Sequence, residues 1–315
     1  MGKGQEVVMG LDSVDAPRED LWSGLISTCS AGSAEAEVGI LGIPFDGAVS
    51  YRRGAALAPS RLRELSTHLS PCADEGQPLR LSVHDYGDVP AGPHWPRYSQ
   101  AVEARAMDVL RHPLALFLGG DHSVTIPLMR ALDRSEDGAF GVLIFDAHPD
   151  LFDVYDGRHW SHACTARRAL ELKGLDESHL TFVGLRSIAR EEWEFLQTHP
   201  DIPYFTARQC YLRGMEAIAA EVVDRLRDVR AVYVSLDIDG LDPAYAPGTG
   251  YSEGGGPSTR ELLELVRIVC RELPVKAMDV VEVAPPLDHS DITSFAALKV
   301  IYEAWAATEE RLAGG

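Results

Sequence analysis

The sequence has few cysteines, and their arrangement suggests no structural role. Five occur in 315 residues, far apart and without a CxxC pair: Cys29, Cys72, Cys164, Cys210 and Cys270. A small, odd number of scattered cysteines is typical of proteins from a reducing compartment. The sequence therefore argues against a disulfide framework and against a zinc site built from thiolates.

Long hydrophobic runs are also lacking. No stretch approaches the roughly 18 apolar residues of a membrane-spanning helix. Residues 1–6 contain no apolar segment typical of a signal peptide, and Glu6 breaks the myristoylation pattern. We therefore expect a soluble, cytoplasmic protein.

Basic residues are scarce relative to acidic ones. The chain has 29 Lys and Arg against 48 Asp and Glu, which gives a formal net charge of -19. An acidic surface repels nucleic acids and anionic membranes, so we expect neither as a partner. It would attract cationic small molecules, although solubility is a sufficient reason for the charge.

Apolar runs that alternate with helical patterns predict an α/β fold. The predicted strands are 38–44, 79–83, 114–118, 141–145, 180–185, 231–238 and 275–283. The predicted helices are 21–26, 58–65 with Ser60 as N-cap, 98–110, 126–132, 163–172, 217–226 and 259–273, the last with a Ser258–Glu261 capping box. The alternation predicts three α/β/α layers with a central, mostly parallel sheet. Without repeats or linkers, we expect an N-terminal extension over 1–35 and a single domain over 36–315.

Metal-capable side chains follow three of the predicted strands. These residues are His122, then Asp146, His148 and Asp150, then Asp237 and Asp239. The i, i+2 spacing can place each set on one side of extended backbone, at the sheet edge where ligands bind. Clustered carboxylates repel one another unless a cation lies between them. Carboxylates with imidazoles and no thiolate suit Mn²⁺, while Ni²⁺, Fe²⁺ and Zn²⁺ remain possible.

These segments resemble the metal-binding signatures of the ureohydrolase family, which contains arginases and agmatinases. The matching runs are Gly119–Ser123, Asp146–Asp150 and Ser235–Pro243, and the resemblance spans roughly residues 38–303. It implies an arginase-like fold with two Mn²⁺ ions, or Ni²⁺. One ion would bind His122, Asp146, Asp150 and Asp237, and the other Asp146, His148, Asp237 and Asp239. Asp150 would also orient the water that attacks the guanidinium carbon.

The resemblance also assigns two further catalytic residues. His162 lies in a Trp-Ser-His-Ala-Cys stretch typical of agmatinase-like members, where it would carry a proton to the leaving amine; His159 is its rival. Glu282 matches the family glutamate that pairs with the guanidinium group, since a carboxylate can accept paired N–H donors.

The segment from Tyr251 to Ser258 departs from the usual family sequence. Tyr251 could narrow the entrance or stack on a substrate, or it could be a surface aromatic with no ligand role. We expect Tyr251 and Trp160 to contact the far end of the substrate, together with the loop 151–159.

The resemblance implies hydrolysis of a guanidino compound to urea and an amine, with agmatine as the expected substrate and putrescine as the product. Guanidinobutyrate, guanidinopropionate, guanidine and arginine remain alternatives. So do amide hydrolysis on the related deacetylase architecture and a catalytically silent binding or regulatory subunit. Family members are commonly oligomeric, so a homotrimer or homohexamer is expected.

Overall fold

A parallel sheet of eight strands organises the part of the chain that the structure describes. The computed structural model describes residues 21–25, 36–90, 92 and 94–314. The strands are β1 Val38–Gly42, β2 Val83–Asp88, β3 Leu114–Leu118, β4 Phe140–Phe145, β5 Leu180–Leu185, β6 Tyr204–Thr206, β7 Ala231–Asp237 and β8 Val275–Val281. They lie in the order β2-β1-β3-β8-β7-β4-β5-β6.

Helices cover both faces of the sheet. They are α1 Ala58–Ser66, α2 Trp95–Val109, α3 Thr125–Ser135, α4 Thr165–Ala169, α5 Arg190–Thr198, α6 Ala207–Arg213, α7 Met215–Leu226, α8 Thr259–Glu272 and α9 Ile292–Gly314. One hydrophobic core packs α1 and α6–α9 against the sheet, and a second packs α2–α5 against the opposite face. The predicted three-layer α/β/α fold is thereby confirmed.

Several predicted elements differ from the observed ones. Helix α1 begins at Ala58 with Leu57 at the N-cap position, so the prediction of Ser60 as N-cap was wrong. The strand predicted over 79–83 starts only at Val83, because Val83 is the first residue that pairs with β1. The capping box of Ser258 and Glu261 is confirmed at the start of α8.

Other elements had not been predicted, and α9 is the largest of them. Between Thr293 and Thr308 the helix is buried on nearly every side, so it lacks the amphipathic period that would reveal it. Of the helix predicted over 21–26, a 3₁₀ turn spans Leu21–Gly24, and Ile26 lies outside the described residues. Within the described residues, no helix is both long and apolar enough to cross a bilayer.

The sheet order places the functional segments together. β3, β8, β7 and β4 are consecutive neighbours in the centre of the sheet, and all are parallel. Their carboxyl ends therefore meet at one edge, where open α/β sheets bind ligands.

Candidate metal centre

The imidazole of His122 lies among three carboxylates at the central sheet edge. Its Nδ1 is 2.9 Å from Asp150 Oδ2, 3.2 Å from Asp146 Oδ2 and 3.3 Å from Asp237 Oδ2. The His122 side chain is fully buried. The loops after β3 and β4 and the last residue of β7 thus supply one compact set of nitrogen and oxygen atoms.

A second imidazole completes the cluster on the side facing the cavity. His148 Nδ1 lies 3.4 Å from Asp146 Oδ1 and 3.3 Å from Asp239 Oδ2. One oxygen of Asp146 therefore faces His122 and the other faces His148. Two groups that could each hold an ion share Asp146: His122, Asp146 and Asp237, and Asp146, His148 and Asp239.

The residues present fit two cations. His122 Nδ1 and Asp146 Oδ2 are buried, and no described residue is aligned to hydrogen-bond to either. Burial raises the pKa of Asp150 to about 6, and repulsion from the Asp146 carboxylate raises it further. Burial also raises the pKa of Asp237 well above its usual value, and repulsion from Asp239 and, to a smaller extent, from Asp146 adds to this shift. Cations between these carboxylates would satisfy the unpartnered atoms and relieve the repulsion.

Two ionisable residues of the site have unusual backbone conformations. Asp150 has a φ of 51° and Glu282 a φ of 61°, which non-glycine residues adopt infrequently. Glu282 is held there by its own N–H, which donates to Gly120 O at 2.8 Å. Its Oε1 accepts from the His122 backbone N–H, also at 2.8 Å. This conformation turns the Glu282 carboxylate into the cavity beside the metal cluster.

The loop after β3 requires close approach of two backbone segments. Asp121 N–H donates to Phe45 O at 2.7 Å, and a Cβ on Gly120 would collide with that carbonyl. Asp121 Oδ2 accepts from Ala48 N–H at 2.7 Å. Asp121 therefore fixes the loop that follows β1 against the metal centre, and the neighbouring Ser50 reaches the cavity as a result.

A cavity of about 290 Å³ opens in front of the cluster. Six carboxylates line it: Asp150, Glu192, Asp237, Asp239, Glu253 and Glu282. Apolar groups, including Phe152 and Ile188, form part of its wall. Of the described residues that line it, none is Lys or Arg. Three of the carboxylates, Glu192, Glu253 and Glu282, lie outside the metal cluster, so the cavity is suited to a narrow, partly apolar molecule that carries positive charge.

His162 lies at this cavity and takes part in a short hydrogen-bonded chain. Ser50 Oγ is 3.0 Å from His162 Nε2 and 2.9 Å from Tyr251 OH. The Tyr251 ring stacks on His162 with centroids 6.2 Å apart. Burial lowers the pKa of His162 to about 4, with further lowering from His122 and His148. An imidazole with this pKa is neutral near pH 7 and can accept a proton.

Glu253 lies in the segment from Tyr251 to Ser258, here called the divergent loop, and extends toward the imidazole of His148. Its Oε1 accepts from Ser187 Oγ at 3.1 Å and lies 4.0 Å from His148 Nε2. Its backbone carbonyl accepts from Arg186, whose guanidinium also donates to the carbonyls of Asp239 and Gly240. Arg186 thereby ties the divergent loop to the loop that carries Asp239.

The structure places the two remaining predicted candidates outside the cavity. Trp160 stacks on Trp95 with centroids 5.0 Å apart and lines a separate cavity. His159 has a side chain 64% exposed and lies 3.7 Å from Asp153. Neither is among the residues that line the cavity at the metal cluster.

Sequence reasoning assigned no role to three groups of this region. Ser50 and Glu253 lie on irregular loops, where spacing predicts no direction for a side chain. Glu192 is the third residue of α5, and its carboxylate accepts from Leu151 N–H and Ala189 N–H, each at 3.0 Å. A Glu at the start of a helix is a capping signal, but it does not reveal a cavity wall.

The sheet edge and its ligand cluster agree with the similarity of the chain to known proteins. Residues 36–306 match the model of the arginase family. The chain is 36% identical to an agmatinase from Bacillus subtilis (strain 168) over 85% of this chain and 91% of the relative. It is 34% identical to a guanidinobutyrase from Pseudomonas aeruginosa over 85% of each.

A solved structure gives the same result. The chain superposes on a proclavaminate amidino hydrolase from Streptomyces clavuligerus with a TM-score of 0.81 and 29% identity, over 88% of this chain and 93% of that one. Matches of this extent, on a parallel sheet with a cluster of histidines and aspartates at its carboxyl edge, establish that the chain is a hydrolase of the arginase family.

Proposed function

We propose that the protein hydrolyses agmatine to urea and putrescine at a two-Mn²⁺ centre. The observation that carries the choice of substrate is the outer cavity wall, where Glu192 and Glu253 lie beyond the metal cluster and Glu282, and where none of the described lining residues is Lys or Arg. Agmatine carries a guanidinium at one end and an ammonium at the other. A guanidino acid carries a carboxylate where agmatine carries the ammonium.

The residues divide between two ions. His122, Asp146, Asp150 and Asp237 would hold one, and Asp146, His148, Asp237 and Asp239 the other. When bound, such a pair of ions lowers the pKa of water and stabilises charge that develops on the reacting atoms. Mn²⁺ is proposed because the donors are oxygens and imidazoles, and the described cysteines are absent from the cluster.

Glu282 binds and orients the guanidinium group. Its carboxylate is buried, so its attraction to a cation is weakly screened. One oxygen is positioned by the His122 backbone N–H, which leaves the other free to accept from the planar guanidinium. The substrate carbon is thereby held beside the metal cluster in one orientation.

His162 transfers a proton to the leaving amine. Its Nδ1 lies 3.8 Å from Glu282 Oε1, which places the imidazole beside the predicted position of the guanidinium. Because the resting ring is neutral, it can accept a proton released in the reaction and donate it to the departing nitrogen. Ser50 holds the ring through Nε2.

The distal ammonium binds among the carboxylates at the outer wall. Glu253 and Glu192 both line the cavity, and Glu253 is partly exposed. A distal carboxylate would instead meet like charge there. A half-buried repulsion of this kind costs about 1–3 kcal/mol, which corresponds to a factor of about 5–150 in kcat/KM.

The test is urea release from a panel of guanidino compounds by protein loaded with Mn²⁺ or Ni²⁺. We expect kcat/KM for agmatine to exceed that for 4-guanidinobutyrate by about 100-fold, counting both lost attraction and new repulsion. Arginine and guanidinopropionate belong in the same panel. A preference for 4-guanidinobutyrate would overturn the choice of substrate, and release of no urea from any compound would overturn the reaction itself.

Cytoplasmic localisation and assembly as a homotrimer or homohexamer remain predictions. Sedimentation velocity of the purified protein tests the second. A monomer that releases urea at full rate would contradict it.

A further inference from the structure

We propose that Asp279, acting through Ser235, is a positioning residue for His122 that strengthens binding of one of the two metal ions. The inference rests on the metal centre of the proposed function, but not on the identity of the substrate. It follows from a buried chain of hydrogen bonds behind the cluster, on the side away from the cavity.

The sheet register builds this chain. Ser235 on β7 and Asp279 on β8 are direct partners across adjacent strands. Tyr233 and Asp237 lie two residues to either side of Ser235, so alternation places their side chains on the same face as that of Ser235. The strand that presents Asp237 to the metal cluster therefore also presents Ser235 behind it.

The distances define a continuous path from the buried carboxylate to the metal cluster. Ser235 Oγ donates to Asp279 Oδ1 at 2.8 Å. The same Oγ lies 3.0 Å from His122 Nε2. All three side chains are fully buried, so water does not compete for these bonds.

The path determines which nitrogen of His122 carries its proton. A carboxylate only accepts, so Ser235 must donate its single proton to Asp279. Ser235 Oγ then offers a lone pair, and His122 Nε2 must donate to it. Nδ1 is left with its lone pair directed at the oxygens of Asp146, Asp150 and Asp237, as a metal ligand requires.

The second oxygen of Asp279 provides an internal comparison. Oδ2 accepts from Tyr233 OH and from Thr125 Oγ1, each at 2.7 Å. These bonds stabilise the buried carboxylate but lie outside the path through Ser235. Loss of the Tyr233 hydroxyl therefore removes a bond of similar length without interrupting the connection to His122.

The experiment measures Mn²⁺ binding to the metal-free chain by the electron paramagnetic resonance of free Mn²⁺. The variants are Ser235→Ala, Asp279→Asn, the double variant and Tyr233→Phe, with His122→Ala as the reference that loses the same ion. We expect Ser235→Ala and Asp279→Asn each to weaken one of two sites by about 10–100-fold and to change the other less than about threefold.

The double variant separates a connected path from two unrelated effects. Members of one path are expected to be non-additive, so the double variant should bind no more weakly than the weaker single variant. Tyr233→Phe should retain both sites within about threefold. Multiplicative losses in the double variant, equal weakening of both sites, or a Tyr233→Phe loss as large as that of Ser235→Ala would each overturn the proposal.

If Asp279→Asn does not fold, the comparison of Ser235→Ala with Tyr233→Phe decides alone, because Ser235→Ala removes only one hydroxyl.

Two outcomes keep this inference separate from the proposed function. If the unaltered chain does not bind two Mn²⁺ ions, the two-metal proposal itself fails. If it binds two and Ser235→Ala also binds both with unchanged affinity, only the role of Asp279 fails.

Discussion

The two histidines of the metal cluster occupy opposite environments. His122 is fully buried, and its ring lies between the carboxylates of the cluster and Ser235. The His148 side chain is 24% exposed and lines the cavity. The nearest carboxylate behind His148 is that of Glu253, which is 41% exposed and lies on an irregular loop at 4.0 Å from Nε2.

This difference separates metal binding from substrate selection. Groups behind His122 lie on neighbouring strands, whose register is set over many residues. Groups near His148 lie on loops, where sequence can change without disturbing the sheet. The buried half therefore supplies a rigid ligand set, and the open half is where specificity for the distal end of the substrate can vary.

The largest expected effect comes from Asp146, which is shared by the buried half of the cluster around His122 and the open half around His148. Asp146→Ala removes the oxygen facing His122 and the oxygen facing His148. We expect metal content to fall well below two ions per chain and urea release to fall by about 10³-fold or more. Metal analysis by mass spectrometry and a urea assay measure the two quantities.

Asp201→Ala is the matched control for that substitution, because Asp201 is an exposed aspartate outside the site. It should retain both ions and full activity. If Asp146→Ala retains two ions, Asp146 does not join the environments of His122 and His148.

A smaller effect is expected at the open half. Glu253→Gln removes a charge near the position proposed for the distal ammonium while keeping the side chain's size. We expect KM for agmatine to rise about 5–20-fold with kcat nearly unchanged, because a partly exposed ion pair contributes about 1–2 kcal/mol. KM for N-butylguanidine, which lacks the ammonium, should not change.

Glu216→Gln, an exposed substitution on α7, controls for the change in net charge. Equal increases in KM for both substrates would show that Glu253 does not recognise the ammonium. A loss of metal in Glu253→Gln would instead show that Glu253 orients His148 for metal binding, as a buried chain is proposed to do for His122.

The smallest effect is expected at Ser50, which orients His162 from the cavity wall. Ser50→Ala removes the hydroxyl that lies 3.0 Å from His162 Nε2. We expect kcat to fall about 3–10-fold with little change in KM, since one hydrogen bond contributes about 1 kcal/mol to the orientation of the ring. Steady-state kinetics with agmatine measure both parameters.

Tyr251→Phe is the matched control, because it removes the other hydroxyl bonded to Ser50 and leaves the bond to His162 intact. Its kcat should fall less than that of Ser50→Ala. Equal losses in the two variants would mean that Tyr251 controls the ring, and an unchanged kcat in Ser50→Ala would remove Ser50 from any role in orientation.

Residue spacing and the family resemblance together predicted the metal-capable residues, but not the backbone that groups them. Asp146, His148 and Asp150 follow one strand at alternating positions, yet Asp150 has a φ of 51° and is not extended. Asp237 ends β7, and Asp239 lies in the 3₁₀ turn Ile238–Gly240 that follows it. The α/β class followed from the alternation of predicted strands and helices. Trp160 was expected to contact the far end of the substrate, yet its ring packs on Trp95 and lines a separate cavity.

What the sequence by itself determined, then, is the chemistry of each strand end: oxygen and imidazole ligands at short range, on strands that alternate with helices. Only the tertiary structure decided that β8 and β7 lie between β3 and β4, which brings His122, Asp146 and Asp237 to one edge. It also placed Asp279 opposite Ser235 and Glu253 beside His148. The physical reason is range: side-chain alternation is a property of adjacent residues, whereas strand order and register depend on contacts between segments far apart in the chain.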